Sequence, residues 1–466
     1  MRFRIFAFIA ILVISQLLLG CNMARKTSIK CKNYNIILIL IDVLRADHLP
    51  CYGYQKNTAP YINELAGKSI VFDNAISQSS WTKPSMASLF TSLFPHNHNT
   101  RRRKDMLPEN AHCIAKDLNT SGYYTFAIQP NPCIKSRHAF NQGFDEYLEG
   151  EIRKYQADTI VDIFNRFLDM RKKSDKFFAY LHFMDVHYRY NPPQKYRHQF
   201  VDEDFDGLLN SAKLKIMDFK DKSLNLSVLD KKHLEALYDA EINFVDDQIR
   251  RILEKLTPLK MMDNTIIIIT SDHGEEFWDH GAFEHGHMMY NELLWVPLII
   301  YQPRLKVRNK RIKQLIRLIV IYPTLMNFLN LKTKAEFMGQ DLSEIINADK
   351  EHDLGLLGFR EEIFHGSEQT ALQSAHFKII KHKNSNLYDF YNLNQDKEEH
   401  FDLVRDKSVR VELRKFKALL KKYENTESKT CVSKAKDENR DYASVGGKYI
   451  AYLGTVGKTV QTSLML

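Results

Sequence analysis

Several stretches of the chain are apolar at nearly every position rather than at every second one. Residues 35–41 (NIILILI) and 266–269 (IIII) show no polar alternation past the first residue. That pattern predicts strands buried on both faces within a parallel sheet, not half-wet ones. Residues 177–184 and 296–301 (VPLIIY) read the same way, and residues 70–73 and 123–128 as shorter strands. Between them the period changes. Ile160, Ile163, Phe164, Phe167 and Leu168 recur at helical spacing, as do Leu234, Leu237, Tyr238, Val245, Ile249, Ile252 and Leu256, so each set predicts a helix with one face in a core. Helices are also expected from Thr58-Ala59-Pro60 through Ala66, over 109–118 with a stop near Gly122, and over 321–331. The fold class is therefore α/β, one large domain with an appendage. Residues 355–403 alternate short apolar runs with turns and predict a smaller C-terminal sheet subdomain, followed by a basic helix over 407–425.

The buried strands end in polar residues. The run at 266–269 gives way to Ser271, Asp272, His273 and Gly274; residues 35–41 end in Asp42, with Arg45 and Asp47 beyond; residues 177–184 end in Asp185 and His187; residues 123–128 run into Asn131. In open α/β sheets, ligands bind at the carboxyl ends of strands. Four of the 18 histidines (His273, His280, His285, His287) fall within residues 264–290, interleaved with Asp272, Glu275, Glu276 and Asp279. Past a strand end the two-fold alternation is gone, so Asp and His side by side can both turn toward one divalent cation. The bland alternatives are a solvated acidic loop there and a helix N-cap at Asp42. In SSWTKPSMASLFT (79–91), Thr82 and Pro84 are placed to open a helix. A hydroxyl at that end sits in the positive field of the helix dipole. Alone, Thr82 reads as a cap; beside the acids it becomes the candidate nucleophile, activated by metal coordination. His187 is a candidate for holding substrate or protonating a leaving oxygen.

Composition narrows the class. With 466 residues, 44% of them hydrophobic, the chain can bury a large core and is neither disordered nor fibrous. Its formal charge of +9 is densest at Arg101–Lys104 (RRRK) and in KVRNKRIK (306–313), which suits an anionic substrate or an anionic membrane surface; no nucleic-acid partner is expected. Arg2 and Arg4 precede an apolar stretch to Leu19, short for a membrane span and typical of a secretory signal. It closes on Leu18-Leu19-Gly20-Cys21, which resembles a bacterial lipobox; an uncleaved anchor helix is the alternative. Either way the body is expected outside the cytoplasm, as a membrane-anchored lipoprotein on the periplasmic face or cell surface. Cys31, Cys51, Cys113, Cys133 and Cys431 lack metal-type spacing, and one or two disulfides are expected without a readable pairing.

Taken in order, the segments NIILILIDVLRADHLPCYGY, TAPYINELA, SWTKPSMASLFTSLFP, MDVHYRYNPP, YDAEINFVDD, SDHGEEFWDHGAFEHGHMMYNELLWVPLII and LYDFYNLNQDKEEHFDL resemble the sulfatase family of the alkaline phosphatase superfamily, from about residue 35 to 403. The resemblance implies a large, mostly parallel sheet sandwiched by helices, a smaller C-terminal sheet, and one divalent metal beside a covalent nucleophile. Carried over by position, Asp42, Asp272 and His273 match metal ligands, Thr82 the nucleophile, and His187 and His285 the groups that handle the substrate's anionic oxygens. His280, Asn131 and Lys83 are further substrate-binding candidates. The implied divisions are a signal peptide (1–20), a linker (21–34), the catalytic core (35–345), the C-terminal subdomain (346–403), and a basic helix with an unassigned tail (404–466). One departure stands out. Ordinary sulfatases carry (Cys/Ser)-x-Pro-x-Arg, whose first residue becomes formylglycine; here the residues are Thr82-Lys83-Pro84-Ser85-Met86. Threonine cannot become formylglycine, so none is expected. Threonine there is similar to the phosphotransferase branch, such as lipoteichoic acid synthases and lipid A phosphoethanolamine transferases. The leading expectation is a metal-dependent hydrolase of sulfate or phosphate esters with a threonine nucleophile. The alternatives are a phosphotransferase acting on an envelope glycan or lipid, and a binding protein of the same fold that has lost catalysis. The mixed oxygen and nitrogen shell fits zinc or manganese, whereas all-oxygen sulfatase shells hold calcium.

Overall fold

The computed structural model describes residues 34–172, 175–208, 226–303, 309–347, 357–361, 368–383, 385 and 387–434. The expected signal peptide, Cys21 and linker, most of the polar excursion after residue 200, and the tail beyond 434 lie outside the described residues.

The strands of the main body are β1 (Asn35–Ile41), β2 (Ile70–Ile76), β3 (Tyr124–Gln129), β4 (Glu146–Glu149), β5 (Phe177–Phe183), β6 (Thr265–Thr270), the hairpin β7 (Glu276–Phe277) and β8 (Phe283–Glu284), then β9 (Trp295–Val296), β10 (Leu298–Tyr301) and β11 (Lys310–Arg317). Nine of them form one sheet in the order β11-β2-β10-β6-β1-β5-β3-β4, with β9 beside β2. β1 sits at its centre, parallel to both β5 and β6. Successive residues of β1 point to opposite faces. Ile36, Leu38 and Leu40 join a core under helices Thr82–Thr91, Ile114–Thr120 and Ile321–Leu329, whereas Ile37, Ile39 and Ile41 join a second core under helices Pro60–Ala66, Ala157–Met170 and Val228–Leu256. Both faces are dry, which is why the strand shows no polar alternation. Each fully buried aliphatic side chain there contributes roughly 1.5–3 kcal/mol.

Some elements depart from expectation. Residues 296–301 split at Pro297, which has no N–H for a ladder, so β9 and β10 are separate and both run antiparallel to their neighbours. The helix expected from residue 109 starts at Ile114, because the Lys116 ammonium folds under it and holds the carbonyls of Glu109 (2.6 Å) and Ala111 (3.1 Å) in a turn. The described end of the basic run, residues 310–313, starts edge strand β11, parallel to β2; cationic side chains on an edge discourage pairing with another chain. Cys51, Cys113 and Cys133 are free thiols.

The C-terminal part is a four-stranded antiparallel sheet: β12 (Leu357–Glu361), β13 (Gln369–Gln373), β14 (Phe377–His382) and β15 (Leu387–Asn392). One face carries Leu372, Ile379 and Phe390 against Leu413, Phe416 and Leu420 of helix Arg410–Lys434. The other carries Ala371, Ile380 and Tyr391 against Ile76, Leu294 and Leu315 of the main body. Among the described residues no helix is long and apolar enough to cross a membrane.

Candidate active site

Leu40 of β1 lies opposite both His182 of β5 and Thr270 of β6. The three central strands therefore finish level, and the segments after them emerge at one edge. From that edge come Asp42, Ser271–His273 and, through β3, Asn131. Helix Thr82–Thr91 closes the same space, with Trp81 as its N-cap and no side-chain capping bond, so the Thr82 hydroxyl is not consumed as a cap.

The backbone after β1 turns sharply to aim Asp42. Val43 takes a left-handed conformation (φ 56°), which a β-branched residue adopts only when its surroundings impose it. Tyr238, on helix Val228–Leu256, supplies the constraint: its hydroxyl donates to the Val43 carbonyl at 2.8 Å and accepts from the Arg45 amide at 2.9 Å. Ser271 Oγ accepts the Leu44 amide at 2.9 Å. Arg45 then reaches out as a buried fork, paired with Asp47 at 2.8 Å and Asp279 at 2.9 Å.

The acids and the imidazole converge. One ligand atom from each of Asp42, Asp272 and His273 lies within 4.8 Å of the others, and all three residues are buried. His273 Nε2 stands 3.3 Å from Asp272 Oδ2, 3.9 Å from Asp42 Oδ1 and 3.3 Å from Thr82 Oγ1. The other ring nitrogen, Nδ1, is 2.9 Å from the Gly274 carbonyl, an acceptor only, so Nδ1 carries the proton and Nε2 presents its lone pair. Asp42 Oδ1 and Asp272 Oδ2 are buried without a hydrogen-bond partner. Two carboxylate oxygens and a bare imidazole nitrogen facing one another in a buried space repel unless a proton or a cation lies among them. This donor set fits a divalent ion.

Around the centre, Asp42 Oδ2 accepts from His182 Nε2 at 2.8 Å and from Asn131 Nδ2 at 2.7 Å. Tyr180 OH is 2.6 Å from His182 Nδ1. Burial alone would raise the Asp42 carboxyl, but the hydrogen bond and charge of His182 hold it down at about 2. Asp272 goes the other way, pushed up by burial and by the Asp42 charge. Asn131 Nδ2 also lies 3.3 Å from Thr82 Oγ1.

His285 lies tilted against His273 (ring centroids 4.4 Å apart) and meets His187 edge-on at 5.0 Å. Its Nδ1 bonds Glu275 Oε1 at 2.8 Å, and Tyr190 OH donates to the other Glu275 oxygen at 3.2 Å. The structure thus brings together Asp42, Thr82, Asn131, His187, Asp272, His273 and His285. It sets Lys83 and His280 differently. The Lys83 ammonium donates to the carbonyls of Arg103 (2.6 Å) and Asp105 (2.9 Å). His280 stacks on Tyr290 with Nδ1 on Glu292 (2.7 Å) and Nε2 on the Glu399 carbonyl (3.0 Å), so it ties the main body to the C-terminal part. His287 likewise pairs with Glu276 at 2.6 Å. The histidine cluster in the sequence is divided between site and scaffold.

Sequence pattern does not pick out His182, Glu275 or Tyr238 as site residues. His182 does leave a signal: it is a lone histidine inside an otherwise apolar buried strand, where a polar ring needs a partner.

A mostly parallel α/β sheet with acids, an imidazole and a buried hydroxyl at its strand ends defines the class, an ester hydrolase of the alkaline phosphatase superfamily. The family model for sulfatases matches residues 34–331, and the model described as N-sulphoglucosamine sulphohydrolase, C-terminal, matches residues 278–426; the chain belongs to the sulfatase family. It is 24% identical over 436 residues to an arylsulfatase of Clostridium perfringens, covering 80% of this chain and 88% of that protein. It is 26% identical to an ulvan-active sulfatase of Formosa agariphila, covering 73% and 71%. Its fold is shared with a structure solved in complex with its substrate D-glucosamine-2-N,6-O-disulfate (TM-score 0.73, 19% identity, 85% of this chain and 99% of that one). The same holds for the phosphonate monoester hydrolase of Agrobacterium radiobacter (TM-score 0.71, 19% identity, 84% and 96%).

Proposed function

We propose that the chain hydrolyses sulfate or phosphate esters with Thr82 as nucleophile and one divalent ion, zinc, manganese or calcium, held by Asp42, Asp272 and His273. The observation that carries this reading is the buried Thr82 hydroxyl beside two orphaned carboxylate oxygens and an imidazole lone pair. A divalent ion bound there supplies charge that lowers the hydroxyl pKa and screens the ester oxygens. The residues do the rest. Thr82, its hydroxyl proton lost to solvent, attacks the sulfur or phosphorus in line through Oγ1; the bond to the leaving oxygen breaks as that oxygen takes up a proton, and water attacks the resulting threonine ester, releasing sulfate or phosphate and restoring the hydroxyl. Asn131 Nδ2, shared between Asp42 and Thr82, orients the hydroxyl. His285, fixed through Nδ1 by Glu275, and His187, whose Nδ1 is 2.7 Å from the Tyr188 carbonyl, each offer Nε2 to the non-bridging oxygens or protonate the leaving group. Threonine at this position calls for no formylglycine. The anionic ester belongs to a cell-envelope glycan or lipid, met by an exported enzyme tethered through Cys21; the relatives active on sulfated sugars support an anionic ester substrate.

The test is turnover of 4-nitrophenyl sulfate, 4-nitrophenyl phosphate and a bis(4-nitrophenyl) phosphodiester, by the wild type and Thr82→Ala, with and without chelator. Thr82→Ala should lose at least about 10³-fold in kcat, and chelation should abolish turnover until metal is restored. Undiminished turnover by Thr82→Ala removes threonine from the mechanism, and indifference to chelator removes the metal.

A further inference from the structure

The C-terminal sheet lies between two partners. One face packs on the main body and the other on helix Arg410–Lys434, so that helix is the outermost layer of this part of the molecule. Its covered side is apolar, with Leu413, Phe416 and Leu420 buried. The uncovered side is cationic. From the first turn to residue 422 its exposed positions are Arg410, Val411, Arg414, Lys415, Ala418, Lys421 and Lys422, with no acid among them. At 3.6 residues per turn these positions share one face about 18 Å long. Arg410, Arg414 and Lys421 form one edge of it, Lys415 and Lys422 the other, and Val411 and Ala418 run between.

Little opposes this charge. Residues 405–422 hold eight Lys and Arg against two acids. Asp406 turns back to the Ser408 amide (2.7 Å), and Glu412 meets Lys415 (3.8 Å) at the flank of the helix. Arg410, Arg414 and Lys421 form no ion pair among the described residues. A helix face kept only for solubility mixes both signs, and opposite charges four residues apart support it. Here Arg410 and Arg414 are four apart, as are Lys417 and Lys421, and like charges at that spacing work against the helix. Lys417 is drawn over the Tyr388 ring at 4.3 Å. The shape of the face points to its partner. Soluble polyanions are tracked by grooves, whereas this face is convex and flanks small apolar positions with two cationic rows. Laid flat on a lipid surface, the long side chains reach the headgroups on both sides while Val411 and Ala418 meet the boundary beneath.

We propose that the outward face of helix Arg410–Lys434 docks on an anionic lipid surface. The inference goes beyond the ester-hydrolase reading and does not rest on it. The test is partition of the full chain carrying Cys21→Ser, which cannot be lipidated, onto vesicles of phosphatidylcholine alone or mixed equally with phosphatidylglycerol. Binding is read by co-sedimentation over a range of lipid concentrations in low salt. Each basic residue near an anionic surface is worth roughly fivefold in partition, so the mixed vesicles should be preferred by about 100-fold or more. At about 1 M salt, where screening acts within roughly 3 Å, most of that preference should vanish. Combining Arg410→Ala, Arg414→Ala and Lys421→Ala should weaken binding to the mixed vesicles about 100-fold, with the helix kept because alanine is its best former. Combining Lys68→Ala, Lys154→Ala and Lys195→Ala, exposed cations of the main body, should change it by about threefold or less. Equal partition onto both vesicles, or a helix variant that loses no more than this control, overturns the proposal. Binding to soluble dextran sulfate through the three helix residues, without binding to mixed vesicles, assigns the face to a polyanion and overturns it too. With Cys21 replaced and no ester turned over, the result stands apart from the tether and from the threonine mechanism.

Discussion

Replacing His182 with leucine isolates the group that holds the metal-binding acid in place. His182 touches nothing that reacts; it bonds Asp42 Oδ2 at 2.8 Å and is itself held by Tyr180 at 2.6 Å. Without it, that oxygen keeps Asn131 alone, and the burial that pushes the carboxyl upward loses its main opponent. Removing such an outer partner costs about 10–100-fold in metal affinity, which is about 1.4–2.8 kcal/mol. Tyr180→Phe deletes only the second link, and a single neutral hydrogen bond is worth about 0.5–1.5 kcal/mol, so its loss of affinity should be about tenfold or less. The assay is competition for zinc or manganese against a chelator of known affinity, read by metal content after equilibrium dialysis, with thermal melting in excess metal to confirm folding. The order expected is wild type, then Tyr180→Phe, then His182→Leu. If His182→Leu is folded and binds metal within twofold of the wild type, the claim that this imidazole orients a ligand is wrong.

Glu275→Gln should leave the fold intact and lower kcat roughly tenfold with little change in KM, because it loosens His285 without removing it; an unchanged kcat would detach Glu275 from catalysis. Gly274→Ala would put a Cβ 1.9 Å from the Glu292 carbonyl oxygen, so backbone must shift beside His273; a loss of about 1–3 kcal/mol in urea unfolding and of most turnover is expected, and wild-type values for both would show that the strand-end turn yields freely. Asp185 is raised to about 7 by burial, and Glu241 to about 9 by burial and by Asp185. The fold favours the protonated form of both, so their contribution is fully present below about pH 4 and is lost as pH rises through about 7 for Asp185 and about 9 for Glu241. Urea midpoints from pH 5 to 9 should therefore fall more steeply for the wild type than for Glu241→Gln; parallel curves would contradict the assignment.

Much of this centre is readable because strand ends are where sequence pattern and chemistry change together. A doubly buried strand carries a polar side chain within its length only where a partner satisfies it, as Tyr180 and Asp42 satisfy His182, so the first acid after an apolar run marks both the end of the strand and the edge of the sheet. The same logic finds Asn131 after β3 and His187 after β5. It also carries the central strands and the long helices, whose periods of two-faced burial and 3.6 residues are local properties. Partner choice is not local. Nothing in residues 276–287 tells that His285 turns to Glu275 and the reactive centre while His280 and His287 turn to Glu292 and Glu276; the sorting is made by hairpin β7–β8 and by contacts with Glu399, more than a hundred residues away.

The residues that sequence pattern passes over share one physical trait: each satisfies a polar atom by meeting a partner from a distant element. Tyr238 reads as one more apolar position on a helix face, yet its hydroxyl holds Val43 in a backbone conformation that the residue type disfavours. That constraint decides where Asp42 points. Tyr238→Phe keeps the packing and removes only the hydroxyl, leaving the Val43 carbonyl and the Arg45 amide, both buried, without it. A cost of about 1–3 kcal/mol in stability follows from the orphaned groups, together with weaker metal binding as the turn relaxes and the Asp42 carboxylate swings. Measured by urea unfolding and by the same dialysis competition, a variant that loses neither would mean that the turn is held without the Tyr238 hydroxyl, by the bonds of the Val43 amide to Asp272 and the Leu44 amide to Ser271.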